Sequence, residues 1–476
     1  MEKTPGKKVA YLGIDQGSTA TKALLVSAKG ELLFSSRKMV KTKVSGSAVH
    51  QDPKALLRSV RSAISEAVSF ARKGDITVRG AGIATQRSSF LFFDESAQPL
   101  TPIISWRDTS GAERIPALLS REEKIRQISG LPLTPYYSAL KLEQHAPPGR
   151  GTVRFGTVNT FLIFALTGGK VFATDPANAQ RTLLFDIHGL DYSEELLRCF
   201  SVPGNVRLPE IKDTVSDFGH ISVKGSSIPI LSSTGDQQAA LCGSTGWRTG
   251  RGLINLGTGG FLLVPVGELP KMPGGLIVTL SHSIGGKSFY LLEGTVNAVS
   301  DTLGFFEELM GTRFREKEIK RGVYPAVVFG GRGTGAPLWD PPFHAAVSGI
   351  GSGAHRKKIL ASSLLGSLCY FRLIDEAMAR GGWDAGEYVV SGGITSIDGV
   401  SSFLKDLLGK RVYQPRIPEM TGIGAALSGR FLAAGEMVPA RKGNFHPVKG
   451  KGPVDAEAYY AEWLRLYHFA RQRVMK

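Results

Sequence analysis

VAYLGIDQGSTATKALLV, residues 9–26, is the stretch that decides the fold. Two largely apolar runs, Val9–Ile14 and Lys22–Val26, flank the polar turn Asp15-Gln16-Gly17-Ser18-Thr19, a pattern that predicts strand, tight turn, strand. After Lys29-Gly30, Glu31–Ser35 adds a third strand. An amphipathic helix follows. Asp52 is a good N-cap, Pro53 suits the first helical position, and Leu56, Leu57, Val60, Ile64, Ala67 and Val68 make one apolar face that ends at Gly74. Gly80–Ala84 then returns as a short strand before Thr85-Gln86-Arg87.

The same cycle recurs in the second half. Leu253–Asn255 is a strand, Gly257-Thr258-Gly259-Gly260 a tight turn, and Phe261–Val264 a returning strand, with Ser288–Leu292 as another. A helix over Arg356–Arg380 carries Ile359, Leu360, Leu364, Leu368, Phe371 and Ile374 on one face and stops at Gly381-Gly382. The strand Tyr388–Ser391 runs into Gly392-Gly393. Two halves with one device predict a duplicated α/β domain, residues 1–246 and 247–476, with a cleft between and a seam near Gly243–Gly252. Pro147–Gly151 and Arg332–Gly335 read as exposed loops.

Composition narrows the class. The chain has 476 residues, 42% hydrophobic and 21% charged, an ordinary globular balance that excludes a disordered or fibrous protein. No apolar run approaches the roughly 20 residues that span a bilayer. The basic start MEKTPGKK is followed by an apolar stretch too short for a signal-peptide core, so secretion is not expected. The net charge of +17 is scattered, without a long basic run or interleaved aromatic residues, and no nucleic-acid partner is expected. Cys199, Cys242 and Cys369 are odd in number and far apart, which fits a reducing, cytoplasmic setting rather than a disulfide framework or a CxxC metal site.

Four motifs carry chemistry. In DQGST, Gly17, Ser18 and Thr19 can turn backbone N–H groups and hydroxyls on a phosphate, and Asp15 at the strand end can reach Mg²⁺; a plain hairpin turn uses the same residues. NLGTGGFLL repeats the device in the other half, and two such turns facing each other suit a nucleoside triphosphate. In STGDQQAALCG, Asp236 follows an apolar strand and can take a proton from an attacking hydroxyl, although a helix N-cap is the commoner role of such an Asp. In VSGGITSIDGV, Gly392-Gly393 let a ligand lie against backbone. Gly286-Lys287-Ser288 is not the end of a Walker loop, because Ser281 stands where a glycine is required and a strand follows. Neither His-Glu-x-x-His nor Gly-x-Ser-x-Gly occurs, so metalloprotease and serine hydrolase chemistry are unsupported.

Taken in order, GIDQGSTATK, GIATQRSS, PIISWRDT, PYYSALK, ATDPANAQRTLLFDI, STGDQQAALCG, LGTGGFLL, YLLEG, APLWDPP and TGIGAALSG resemble the FGGY carbohydrate kinases, above all the branch that acts on glycerol. The resemblance runs from Tyr11 to Gly435. It implies two actin-like (ribonuclease H-like) domains closing on ATP-Mg and a small polyol or sugar, and a homodimer, since the family often dimerises. It places Asp15 near Mg²⁺ together with Asp236, and Gly17, Ser18, Thr19 and Lys22 around the ATP phosphates. Gly257, Thr258 and Gly259 become the second phosphate loop, with Ser300, Gly392 and Gly393 on the nucleotide side. Asp236 matches the general base, and Arg87, Ser88, Trp106, Tyr136, Asp236, Gln237 and Phe261 the acceptor pocket.

The departures are specific. The glycerol-phosphorylating branch carries Gln-Arg-Glu where this chain has Gln86-Arg87-Ser88. A hydrogen bond to a charged group contributes about 1.5–3 kcal/mol, so the missing carboxylate weakens glycerol binding or leaves room for a larger acceptor, unless Ser88 reaches the substrate through water. Ile397-Asp398 stands where the family has an Asn pair near adenine, Ser300 and Gly304 replace a glycine and a glutamine, and Gln144 and Leu365 interrupt the signature patterns. The loop Val223–Ser227 is short and lacks an effector-binding arginine. These adenine-side changes also suit a catalytically weak ATP-binding sensor, which would bind ATP without acceptor-stimulated ADP release.

Overall fold

The computed structural model describes residues 8–149, 151–271, 274–315, 317–351, 355–434 and 444–472. All of the basic start but Lys8, Arg150 of the loop Pro147–Gly151, and Gly435 at the end of the resemblance lie outside them. The chain forms two compact units: Met1–Trp247 with Thr279–Tyr290 and Glu419–Arg441, and Arg248–Val278 with Leu291–Pro418 and Lys442–Lys476.

The first unit is built on the hairpin read from residues 9–26. Strands β1 (Lys8–Gln16), β2 (Ala20–Ser27) and β3 (Leu32–Met39) are antiparallel neighbours. Helix α1 (Pro53–Lys73) starts where its cap chemistry dictates: the Asp52 carboxylate accepts from the N–H groups of Lys54 (2.8 Å) and Ala55 (3.2 Å), and Gly74 ends it. Its buried stripe includes Leu56, Val60, Ile64, Ala67 and Val68, while Leu57 is only partly buried. Each fully buried Val, Leu or Ile on such a stripe stabilises by roughly 1.5–3 kcal/mol.

Strand β4 (Ile76–Thr85) lies parallel to β1. A short helix α2 (Ala139–His145), strands β5 (His220–Val223) and β6 (Ser226–Gly235), and helix α3 (Asp236–Thr245) follow. The main sheet has the order β5-β6-β4-β1-β2-β3, with β6 parallel to β4.

A late helix, Met420–Ala434, completes this unit by lying directly against backbone. A Cβ on Gly13 would stand 1.9 Å from the Gly422 carbonyl oxygen, and one on Gly424 would stand 1.8 Å from that of Ala239. Gly13 and Gly424 are therefore a packing device: without side chains, the late helix approaches the backbones of β1 and α3 closely.

The second unit repeats the progression. Strands β7 (Arg251–Leu256), β8 (Gly260–Gly267), β9 (Ile277–Ile284) and β10 (Lys287–Val296) precede helices α4 (Ser300–Met310) and α5 (Arg356–Arg380), although Thr279–Tyr290, most of β9 and the start of β10, counts with the first unit. Strands β11 (Glu387–Ser391), β12 (Arg411–Pro415) and β13 (Phe445–Pro447) and helix α6 (Ala456–Gln472) complete it. The sheet order is β9-β10-β8-β7-β11-β12-β13. As in the first unit, the lead strand pairs antiparallel with its hairpin partner (β7 with β8) and parallel with the strand on its other side (β11), which pairs parallel with the next. Of the loop Arg332–Gly335, read as exposed, Thr334 and Gly335 are buried; a Cβ on Gly335 would stand 2.2 Å from the Thr295 carbonyl oxygen. Among the described residues no helix is long and apolar enough to cross a membrane.

Candidate active site

In the first unit the turn after β1 is closed by the Gly17 N–H donating to the Ala20 carbonyl at 3.0 Å. Three buried glutamines hold it. Gln51 Nε2 donates to the Ser18 carbonyl (2.7 Å), and Gln86 Nε2 donates to Gln51 Oε1 (2.8 Å) and to Gln16 Oε1 (3.1 Å). The Ser18 hydroxyl donates to Gln86 Oε1 at 3.0 Å and accepts from the Trp106 indole N–H at 3.1 Å. The phosphate-type turn and the aromatic residue expected beside an acceptor thus share one hydroxyl. Motif reading gives none of these glutamines a role; the one local signal is Gln86, standing between Thr85 at the end of β4 and Arg87.

Asp15, at the end of β1, faces Lys22 across the hairpin, with 3.8 Å between carboxylate and ammonium. Lys22 also donates to Glu419 at 2.6 Å, a partner that no local pattern announced. Burial is the main force on Asp15 and raises its pKa to about 7; Lys22 opposes it, while Asp236 and Glu419 add like-charge repulsion. Asp236 is the first residue of α3, with Gly235 as the N-cap, so the plain capping role is not the one it plays. Its Oδ1 accepts from the Gln237 N–H at 2.8 Å and stands 3.4 Å from Nε of the buried Arg87. Ser88, also buried, has φ of 63°, an uncommon left-handed conformation for a serine, and its carbonyl accepts from the Ser138 hydroxyl at 2.9 Å. The rings of Trp106 and Tyr136 lie 6.2 Å apart. Of the residues read from the sequence, Ser18, Trp106 and Tyr136 are thus joined in one group, and Asp15, Lys22, Asp236, Arg87 and Gln237 in another, within the same unit.

The second unit assembles the other group at the end of β7. The Gly257 N–H donates to the Gly259 carbonyl (2.9 Å). The first turn of α4 docks on this loop: Val299 N–H donates to the Thr258 carbonyl (2.8 Å) and Ser300 N–H to that of Gly257 (3.3 Å). Gly392 has φ of 104°, and a Cβ there would stand 2.1 Å from the Leu256 carbonyl oxygen, so the turn after β11 needs glycine on both counts. Gly393 opens a 3-10 turn to Ser396, and Phe261 lies opposite Asn255 on β8. Asp398, on the expected adenine side, is tied by backbone to Lys317 and Ile319.

No three His, Cys, Asp or Glu side chains among the described residues form a cage for a metal. The first unit fits Mg²⁺ in another way. A buried carboxylate whose charge is disfavoured by burial and by two further carboxylates gains from a divalent cation held through one or two carboxylates, with phosphate and water as the other ligands.

Residues 10–243 match the N-terminal domain, and residues 252–433 the C-terminal domain, of the FGGY family of carbohydrate kinases. The chain is 37% identical to glycerol kinase of Thermus brockianus over 97% of its own length and 98% of the relative's. It is 32% identical to that of Ectopseudomonas mendocina over 95% and 97%. Its fold is shared with Plasmodium falciparum glycerol kinase bound to ADP (TM-score 0.81, 24% identity, 97% and 98% of the two chains). It is shared equally with xylulose kinase of Rhodospirillum rubrum (TM-score 0.84, 18% identity, 98% and 100%), which identifies the two repeats as actin-like domains. Two hairpin-turn repeats, an aspartate opening a helix beside a buried arginine, and full-length similarity to known members lead to one conclusion: this chain belongs to the FGGY family of carbohydrate kinases, ATP-binding phosphotransferases that act on an alcohol.

Proposed function

We propose that the chain transfers the γ-phosphoryl group of ATP to a hydroxyl of a small polyol or sugar, with glycerol or a larger acceptor as the substrate, in a cytoplasmic setting. The observation that carries this reading is Asp236, which opens α3 beside Arg87 and shares an electrostatic neighbourhood with Asp15. Asp236 takes the proton of the acceptor hydroxyl; that oxygen forms the new bond to phosphorus as the bond from the γ-phosphorus to ADP breaks. Arg87 holds the base and a substrate hydroxyl. Trp106 and Tyr136 pack against the carbon skeleton, and Ser88 and Gln237 complete the pocket. The backbone N–H groups of Gly17–Thr19 and Gly257–Gly259 take the phosphates. Ser300, Gly392 and Gly393 lie on the nucleotide side. Residues up to 246 carry the acceptor and the first phosphate turn, and the remainder the second turn and the adenosine side. Mg²⁺ would be held by Asp15 and Asp236 and would supply charge neutralisation to a transfer that depends mainly on positioning.

Similarity to proteins named glycerol kinase supports a glycerol-sized acceptor. Ser88 favours a larger one, because it is shorter than the glutamate that the glycerol-phosphorylating branch carries at this position. ADP release from ATP-Mg, measured with glycerol, erythritol, pentitols and tetrulose to hexulose sugars, separates the two. Saturable stimulation by one acceptor is expected; ATP binding with no stimulation by any of them would overturn the reading in favour of an ATP-binding sensor.

Lys22 gives a second check. A charge-assisted hydrogen bond is worth about 1.5–3 kcal/mol, or roughly 10- to 150-fold, and part of that is offset because Lys22 must leave Glu419. Lys22→Met is therefore expected to raise KM for ATP by about 10-fold and leave the acceptor KM unchanged. An unchanged KM for ATP would remove Lys22 from the phosphate site.

A further inference from the structure

Helix α2 buries an ammonium group. Lys141 is fully inaccessible, and its Nζ donates to two carbonyl oxygens of one turn, those of Ser105 (3.2 Å) and Asp108 (2.8 Å). Burying a cation is costly unless it is hydrogen-bonded, and burial draws this one down to about 8 against the pull of Asp108. The turn it grips is itself closed by the Asp108 N–H donating to the Ser105 carbonyl at 3.0 Å. Further bonds fix the frame. The Asp108 carboxylate accepts from Val49 N–H (2.8 Å) and Ser110 N–H (3.0 Å), with His50 at 3.5 Å, and Trp106 N–H donates to the Ser89 hydroxyl at 3.0 Å. Between the two gripped carbonyls stands Trp106, whose indole N–H reaches the Ser18 hydroxyl.

We propose that Lys141 is a positioning residue: by holding both ends of the Ser105–Asp108 turn it sets the Trp106 ring, and through Ser18 it ties the acceptor side to the phosphate turn. This rests on the reading of Trp106 as part of the acceptor pocket. A methionine keeps most of the stem volume in the buried slot but donates nothing, so the two carbonyls lose their shared donor and the turn loosens.

Lys141→Met in the full-length protein is expected to raise the acceptor KM at least 10-fold while KM for ATP stays within 2-fold. Emission from Trp106, isolated by subtracting spectra of the matching Trp106→Phe proteins, is expected to shift to the red as the indole leaves Ser18. A fall in kcat or in thermal stability with acceptor KM and the Trp106 spectrum unchanged would reduce Lys141 to core packing and overturn the proposal. If Lys141→Met does not fold, Lys141→Gln, with a shorter neutral donor, is read by the same two measurements. Failure of both to fold would also overturn it. If the spectrum shifts but Trp106→Phe leaves the acceptor KM unchanged, the positioning of Trp106 stands and the acceptor-pocket reading falls.

Discussion

Asp236→Asn is expected to lower kcat by about 10²–10⁴-fold, the range that a positioned general base contributes. The substitution is nearly isosteric. An amide oxygen can still accept from the Gln237 N–H that binds Oδ1 at 2.8 Å, so the start of α3 keeps its local hydrogen bond. What is lost is a site for the acceptor proton and the negative charge facing Arg87 at 3.4 Å. ADP release under saturating ATP and acceptor measures the effect, and melting temperature reports whether the fold is intact. Full activity would sink the general-base role. A loss of activity that tracks a loss of folded protein would sink it too, because the carboxylate would then serve structure rather than chemistry.

The second large effect is on stability. Gly424→Ala is expected to destabilise the protein by about 1–3 kcal/mol, the usual cost of overpacking a closely fitted interior. The new methyl group would stand 1.8 Å from the Ala239 carbonyl oxygen and 2.7 Å from the Gly243 nitrogen, both backbone atoms of α3 that no rotamer change can move aside. The helices must separate, and α3 carries Asp236 at its first position. Activity should therefore fall along with stability.

Gly304→Ala is the matched control. It lies inside α4, its Cβ would meet nothing within 4 Å, and replacing a helical glycine by alanine should stabilise by up to about 1 kcal/mol. Thermal unfolding of the two variants side by side decides the matter. An unperturbed Gly424→Ala would show that the helix contact relaxes freely.

The two variants mark where motif reading succeeds and where it stops. TGIGAALSG is visible as a glycine pattern, but its purpose is not, because Gly422 makes room for the Leu24 side chain of β2 and Gly424 for the backbone of α3, both far away in the chain. The same holds for charge. Asp15 and Lys22 sit on facing strands of one hairpin and can be paired by eye. Glu419, the closer partner of Lys22, is 397 residues further along, and a carboxylate ahead of a helix has no pattern that names its distant cation. The glutamines that hold Ser18 come from three separate segments, and glutamine is common on ordinary surfaces, so only their burial reveals them.

By itself the sequence determined whatever depends on neighbours a few residues apart. Hairpin strands follow from apolar runs broken by glycine turns, α1 from Asp52, Pro53 and Gly74, and the phosphate-turn and base candidates from a strand ending in Asp or Gly. These are short-range choices of dihedral angle and capping that each segment makes locally. Tertiary structure alone decided which of those residues share a site. It lifted Asp15 to a pKa near 7 through burial and remote carboxylates, passed the Met420–Ala434 helix to the first unit, and buried the Lys141 ammonium against the turn that carries Trp106. Desolvation, charge coupling and backbone contact depend on distance in space, and that distance is set only when the whole chain has packed.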